Sequence, residues 1–406
     1  MKITDIETFV VGNPPPGFGG RYFIFVKLIS SDNIIGYGEA YAASVGPEAM
    51  IAVIKDLFAR HVAGQSPFHT EKLFRRFHSS GFSQRPDPTI MGAFSAIEMA
   101  CWDIVGKSLN KPVYELMGGQ VHERLRSYTY LYPDTTQDPA EFYNSPTLSA
   151  QRALEYVDQG FTAIKFDPAG AYTIFDPHQP AMADLDRAEN FCREIRNTIG
   201  TRADILFGTH GQFTPSGAIR MGQRLEAYEP LWFEEPVPPE MPEQMAKVAA
   251  NCKIPIATGE RLTTKYEFAR VLSTGAASIL QPALGRVGGL LEAKKIAGMA
   301  EAFYAQIAPH LYCGPIEAAA NIQLATCIPN FLILESIQTF GGIHAELLDA
   351  PIQWEDGHVI PSKEPGLGVT LNEETARAHP YTGTALHLEM QDTPHRYDKE
   401  NRFSGG

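Results

Sequence analysis

The sequence predicts an α/β protein: a parallel barrel wrapped in helices, preceded by a smaller region of mixed strands and helices. Three observations carry this. From about Leu125, eight short apolar runs alternate with longer segments of helical period. The first third instead strings strand-like runs together before its helices begin. A doubly wound dinucleotide sheet, the structural rival, would want a Gly-rich fingerprint after its first strand, and "SYTYLYPDTT" has none. The 406 residues suit about two domains and a large core.

The elements follow in order. "KITDIETFVV", "YFIFVKLIS" and "IIGYGEA" read as strands, with turn signals at 13–20 and 31–33. The Pro14–Gly20 stretch is expected to be a long, exposed hairpin tip. "AFSAIEMACWDIVGKSL" puts Ile97, Ala100, Cys101 and Ile104 on one helical stripe. "ELMGGQ" ends the region at paired glycines, a common helix stop. The eight runs are "RSYTYLY", "FTAIKFD", "ADILFG", "LWFEE", "PIATG", "SILQPA", "AQIAP" and "FLILES". Helix-period segments such as "LSAQRALEYVDQ", "SGAIRMGQRLEAY" and "LLEAKKIAGMAEAFY" lie between them. Beyond Ile337 the pattern dissolves into turns and short extended pieces, most of them assigned to packing back on the first domain. The expected domains are therefore 1–124, 125–340 and 341–406.

Composition narrows the function. A net charge of −13 argues against nucleic acid as the main partner. The five cysteines are scattered, odd in number and form no C-x-x-C pair, which fits a reducing compartment. The start, "MKITDIETFVVG", reads as a strand, not a signal peptide. No stretch is counted as approaching the roughly 20 apolar residues of a membrane span. A cytoplasmic protein is expected.

In a parallel barrel, chemistry sits at the C-terminal strand ends. Those ends read Lys165-Phe166-Asp167, Gly208-Thr209-His210, Glu234-Glu235, Gly259-Glu260-Arg261, Gln281-Pro282-Ala283, Pro309-His310 and Glu335-Ser336. Any one of these has a bland explanation, since lone acids cap helices and lone histidines are usually structural. Clustered on one rim, they cost desolvation and repulsion unless a cation or substrate offsets them. Glu234 and Glu260 end consecutive strands, and a hard ion such as Mg²⁺ takes carboxylate oxygens. Glu235 is expected on the opposite side of its strand, as a packing or salt-bridge residue. "GRVGG" at Gly285–Gly289 offers either a phosphate cradle at a helix start or, more simply, a tight strand-to-helix turn. A zinc-dependent barrel hydrolase would want H-x-H after the first strand, and "SYTYLYP" offers none.

Nearly the whole chain resembles the enolase superfamily, and within it the mandelate racemase-like sugar-acid dehydratases of the galactonate dehydratase type. The segments that carry this are "AFSAIEMACWDIVGKSLNKPVYELMGG", "FEEPVPPE", "IPIATGERL", "SILQPALGRVGGLLEAKKIAGMAE", "APHLYCGP" and "EPGLGVTLNEE", in family order. The resemblance implies a modified (β/α)7β barrel and an α+β capping domain completed by the C-terminal segment. It assigns Glu234 and Glu260 to Mg²⁺. It makes His310 the base that takes the proton next to a carboxylate, and His210 the acid that protonates a departing hydroxyl. Glu335 matches the acid that helps hold the enolate oxygen. Lys165 matches the first lysine of a K-x-K.

Three positions depart from the family pattern. Gly208 stands where the first metal ligand, an aspartate, is expected. Ala283 replaces the aspartate that partners the seventh-strand histidine. Asp167 replaces the second lysine of K-x-K. Asp167 is therefore expected as a metal ligand in place of residue 208, with His210 as its competitor. The expected activity is dehydration of a sugar acid, with Lys165 as a further base. Racemisation, epimerisation or cycloisomerisation comes second, and a metal-poor, non-catalytic sugar-acid binder third. The expected partners are a small sugar acid and further copies of this chain, with neither nucleic acid nor membrane. Specificity is expected from the 14–20 hairpin and from Arg21 and Tyr41.

Overall fold

The computed structural model describes residues 1–41 and 45–396. They form two compact units. The first holds 1–125, 260–269 and 282–388, and the second holds 126–259, 270–281 and, of the described residues, 389–396.

In the first unit β1 (Ile3–Gly12), β2 (Tyr22–Ser30) and β3 (Ile35–Ala40) form an antiparallel sheet in that order. The helix Pro88–Leu109 packs on β3. Only glycine allows that approach. A Cβ on Gly36 would stand 2.1 Å from the Ala100 carbonyl oxygen, and one on Gly38 would stand 1.9 Å from that of Ala96. Asp87 starts the helix by accepting from the Thr89 and Ile90 amides, and Asn110 ends it in the left-handed conformation. By length and composition this helix could cross a membrane, contrary to the expectation that no stretch approaches that length. Yet 83% of its apolar window is buried inside the protein, so it is a core helix.

Glu98, on the same helix, corrects the phosphate-cradle alternative. Its carboxylate accepts from the amides of Leu290 (2.7 Å) and Leu291 (3.0 Å) and from Trp102 Nε1 (2.7 Å). The start of the helix Gly289–Ala302, where a phosphate would sit, is thus filled by a protein carboxylate. "GRVGG" is a turn, with Gly288 and Gly289 at φ +115° and +83°. Glu98→Ala should strand one buried and one part-buried amide and destabilise the protein by about 3 kcal/mol. Urea denaturation should read this as a lower midpoint, with Glu98→Gln losing less.

The 14–20 tip is less exposed than expected. Pro14, Pro15 and Pro16 face solvent, but Gly19 and Gly20 are buried. A Cβ on Gly20 would stand 2.0 Å from Cε1 of His387, so the loop end is closed by the C-terminal region.

The second unit carries β4 (Leu125–Tyr130), β5 (Ala163–Phe166), β6 (Asp204–Gly208), β7 (Trp232–Glu234), β8 (Ile256–Thr258) and β9 (Ile279–Leu280). Each pairs with the next in parallel: Tyr130 with Lys165, Lys165 with Leu206, Gly208 with Glu234, Glu234 with Ala257 and Thr258 with Leu280. Helices between the strands cover the sheet, which is why the strands read as continuous apolar runs. Back in the first unit come β10 (Gln306–Ile307) and β11 (Leu334–Ser336). Parallel bridges Ala283–His310 and Ile307–Phe331 carry the same order forward. All eight expected runs therefore contain a strand. The fold is the α/β barrel with an α+β capping region.

After the barrel strands, β12 (Gln353–Glu355) and β13 (His358–Ile360) form a hairpin. The 341–388 stretch returns to the first strands, with a Val11–Pro380 bridge and a Tyr22–Tyr381 ring contact at 4.6 Å. Residues 389–396 lie with the second unit instead. Gln391 bonds the loop after β5 on both sides of its peptide, through Tyr172 O and the Ile174 amide.

Candidate active site

In the second unit the polar strand ends converge on Glu234. Its carboxylate is fully buried and accepts three bonds: Lys165 Nζ at 2.5 Å, Trp232 Nε1 at 2.9 Å and Gln281 Nε2 at 2.8 Å. Three donors, one of them charged, account for a carboxylate surviving at this depth. Lys165 is thus engaged in a buried ion pair; to act as a base it must first leave Glu234. Thr209 clamps the end of β6 to the chain after β7, donating to the Glu234 and Glu235 carbonyl oxygens. Glu235 has already left the strand: it is buried, with φ +41°.

Gly208 and Asp167 explain one another. The Gly208 backbone is ordinary strand, so conformational freedom is not the reason for glycine. Space is. A Cβ there would stand 1.9 Å from Asp167 Oδ1 and 3.2 Å from Lys165 Cε. The carboxylate that enters from the neighbouring strand occupies the volume a side chain at 208 would need. Asp167 Oδ1 is buried and takes no hydrogen bond among the described residues, while Oδ2 lies 3.4 Å from His210 Nδ1. Tyr172 lies against the His210 ring, with centroids 4.4 Å apart.

The first unit assembles Glu260, Arg286 and His310 around Tyr41, and Glu335 bonds the residue after His310. Ala283 bridges to His310 in parallel and offers only a methyl group. The acid His310 finds is Glu260, with Oε2 3.4 Å from Nε2. Glu335 accepts from the amide of Leu311 at 2.7 Å, which fixes the backbone just after His310. Arg286 donates to the Glu260 carbonyl oxygen at 3.1 Å and lies 4.0 Å over the Tyr41 ring, which is 5.8 Å from that of His310. Burial pushes the Tyr41 hydroxyl well up, so it stays protonated and can donate. Sequence reasoning missed Arg286, because it lay inside a glycine motif read only for its backbone. Arg21, expected to tune specificity, donates to the Leu386 carbonyl oxygen at 2.8 Å.

Residues 149–375 match the family model described as enolase C-terminal domain-like. Residues 18–118 match that of the mandelate racemase/muconate lactonizing enzyme N-terminal domain. The chain belongs to the mandelate racemase/muconate lactonizing enzyme family. It is 35% identical to a D-gluconate/D-galactonate dehydratase of Picrophilus torridus, across 94% of this chain and 95% of that protein. It is also 35% identical to a D-galactonate dehydratase of Ralstonia nicotianae, across 92% and 93%. A crystal structure of a mandelate racemase/muconate lactonizing enzyme from a Sulfitobacter species superposes with a TM-score of 0.96 at 57% identity, covering 98% of this chain and all of that one.

Members of the mandelate racemase/muconate lactonizing enzyme family bind Mg²⁺, and the donor set here suits a hard cation. Asp167 Oδ1 is a buried carboxylate oxygen with no hydrogen bond among the described residues, the kind of atom a metal satisfies. Glu234 has about four lone-pair sites and three protein donors, which leaves one free for an ion.

Proposed function

We propose that the protein is a Mg²⁺-dependent sugar-acid dehydratase. The reading rests on the resemblance to gluconate and galactonate dehydratases, and one observation carries it further: Asp167 fills the place that Gly208 vacates. A carboxylate is thereby kept where the family pattern has its aspartate, although residue 208 itself is glycine. Glu234, Glu260 and Asp167 would hold the ion, whose chemistry is to offset the substrate's carboxylate charge and the charge that develops as its α-proton leaves.

His310 takes the proton from the carbon next to the carboxylate, with Glu260 beside its ring. His210, with Nδ1 beside Asp167, uses its other ring nitrogen to protonate the hydroxyl on the next carbon, which departs as water. The balance is the loss of one proton and one hydroxide, and the enol product ketonises. Glu335 steadies the backbone after His310 and is assigned to the substrate's carboxylate oxygens. Lys165 is assigned to neutralising Glu234. A two-base epimerisation would need Lys165 released from that pair, so dehydration is the simpler chemistry. The five cysteines, all free thiols, suit the cytoplasm.

Sugar acids of the gluconate and galactonate type, screened with Mg²⁺ in deuterated water, should give a keto-deoxy acid. Millimolar Mg²⁺ should raise the melting temperature by a few degrees, and the Glu234→Gln, Glu260→Gln double variant should lose that rise. Absence of the rise in wild type, together with no product and no deuterium exchange from any acid, would overturn the reading.

A further inference from the structure

Three side chains with no part in the chemistry above meet elsewhere in the second unit. His178 lies in the loop after β5, Asp184 in the first turn of the helix Met182–Ile199, and His395 in the C-terminal stretch. One ligating atom from each lies within 4.8 Å of the others. His395 Nε2 is 3.2 Å from Asp184 Oδ2.

The decisive atom is His178 Nε2. It is buried and has no hydrogen-bond partner among the described residues, on a residue only 8% exposed. The other ring nitrogen, Nδ1, lies 2.7 Å from Asp176 Oδ1. A carboxylate only accepts, so Nδ1 carries the hydrogen and Nε2 presents a lone pair. Metal-binding histidines are held in this way, by a carboxylate on the far nitrogen that fixes the tautomer and strengthens the donor. The Ala181 amide donates to Asp184 Oδ2 at 2.8 Å and holds the carboxylate in place at the start of its helix.

We propose that His178, Asp184 and His395 form a second metal site, for a zinc-type divalent ion, with Asp176 as the supporting carboxylate. Two imidazoles and one carboxylate suit Zn²⁺ and similar borderline ions, whereas Mg²⁺ favours oxygen donors. Water completes the fourth position. The two imidazoles are stacked with centroids 3.7 Å apart and planes 14° from parallel, so coordination splays them.

The role is structural. Gln391 already binds the loop at Tyr172 and Ile174, and Tyr172 lies against His210. An ion at His395 ties the same stretch to the same loop a second time. The site shares no residue with the Mg²⁺ ligands and does not depend on the reaction proposed above.

The test uses tag-free, full-length protein stripped of metal and titrated with Zn²⁺ against a chromophoric chelator, then with Co²⁺. Wild type should take one equivalent of Zn²⁺ at micromolar affinity or tighter, and the Co²⁺ form should show the visible absorption of a tetrahedral site. His178→Ala and His395→Ala should each weaken binding about 100-fold or more. Asp176→Asn should weaken it about 10- to 100-fold. The Glu234→Gln, Glu260→Gln variant should keep its Zn²⁺, which separates this site from the barrel. Wild type that binds no Zn²⁺ at micromolar free ion would overturn the proposal. So would unchanged affinity in His395→Ala, a substitution in the C-terminal stretch that is informative even if His178→Ala fails to fold.

Discussion

Asparagine in place of His310 should reduce turnover about 10³-fold or more, the scale of a lost general base. Asparagine keeps a polar side chain of similar reach, so the fold should survive, and circular dichroism checks that. The stronger evidence lies in how the two histidines divide the reaction. His310→Asn should lose both product formation and exchange of the substrate's α-proton with deuterated water. His210→Asn should lose product but retain exchange, because proton removal precedes departure of the hydroxyl. A His310→Asn enzyme that keeps a tenth of its activity, or a His210→Asn enzyme that loses exchange along with product, would sink the assignment of roles.

Aspartate at position 208 should damage the metal site even though it restores the residue the family pattern expects. Its Cβ would overlap Asp167 Oδ1, which stands 1.9 Å from that point, and it would set a second carboxylate against the first. We expect Gly208→Asp to abolish Mg²⁺-dependent stabilisation, to lower activity at least about 10-fold, and to cost about 1–3 kcal/mol of stability from overpacking. Removing the obstacle should reverse this: Gly208→Asp combined with Asp167→Ala should recover Mg²⁺ binding. Gly208→Asp alone binding Mg²⁺ more tightly than wild type would refute the exchange of ligands between the two strands.

Much of this protein is legible in its sequence. The eight apolar runs each contain a strand because a strand covered on both faces has to be apolar along its length, and that is a local property. The polar residues that close those runs could be found by the same reading. The family segments, in order, implied the capping region, and the family models match both regions. The misreadings were of another kind. The glycines of "GRVGG" were weighed for their own turn, but Glu98, on a helix nearly two hundred residues earlier, fills the helix start beside them. The 14–20 tip reads as exposed in the sequence because nothing nearby announces that His387 covers its end.

The sequence by itself determined the order and type of the elements, the barrel, and the identity of the groups at the strand ends. These follow from periodicity and turn chemistry within a few residues. Only the tertiary structure decided what those groups touch. Glu234 takes its donors from Lys165, 69 residues away, and from Gln281, 47 residues away. Asp167 reaches the space of Gly208 because parallel pairing sets β5 beside β6, and His395 meets Asp184 across 211 residues. Such contacts are set by strand register and by the return path of the chain. A buried charge keeps its ionised form only when those non-local partners arrive.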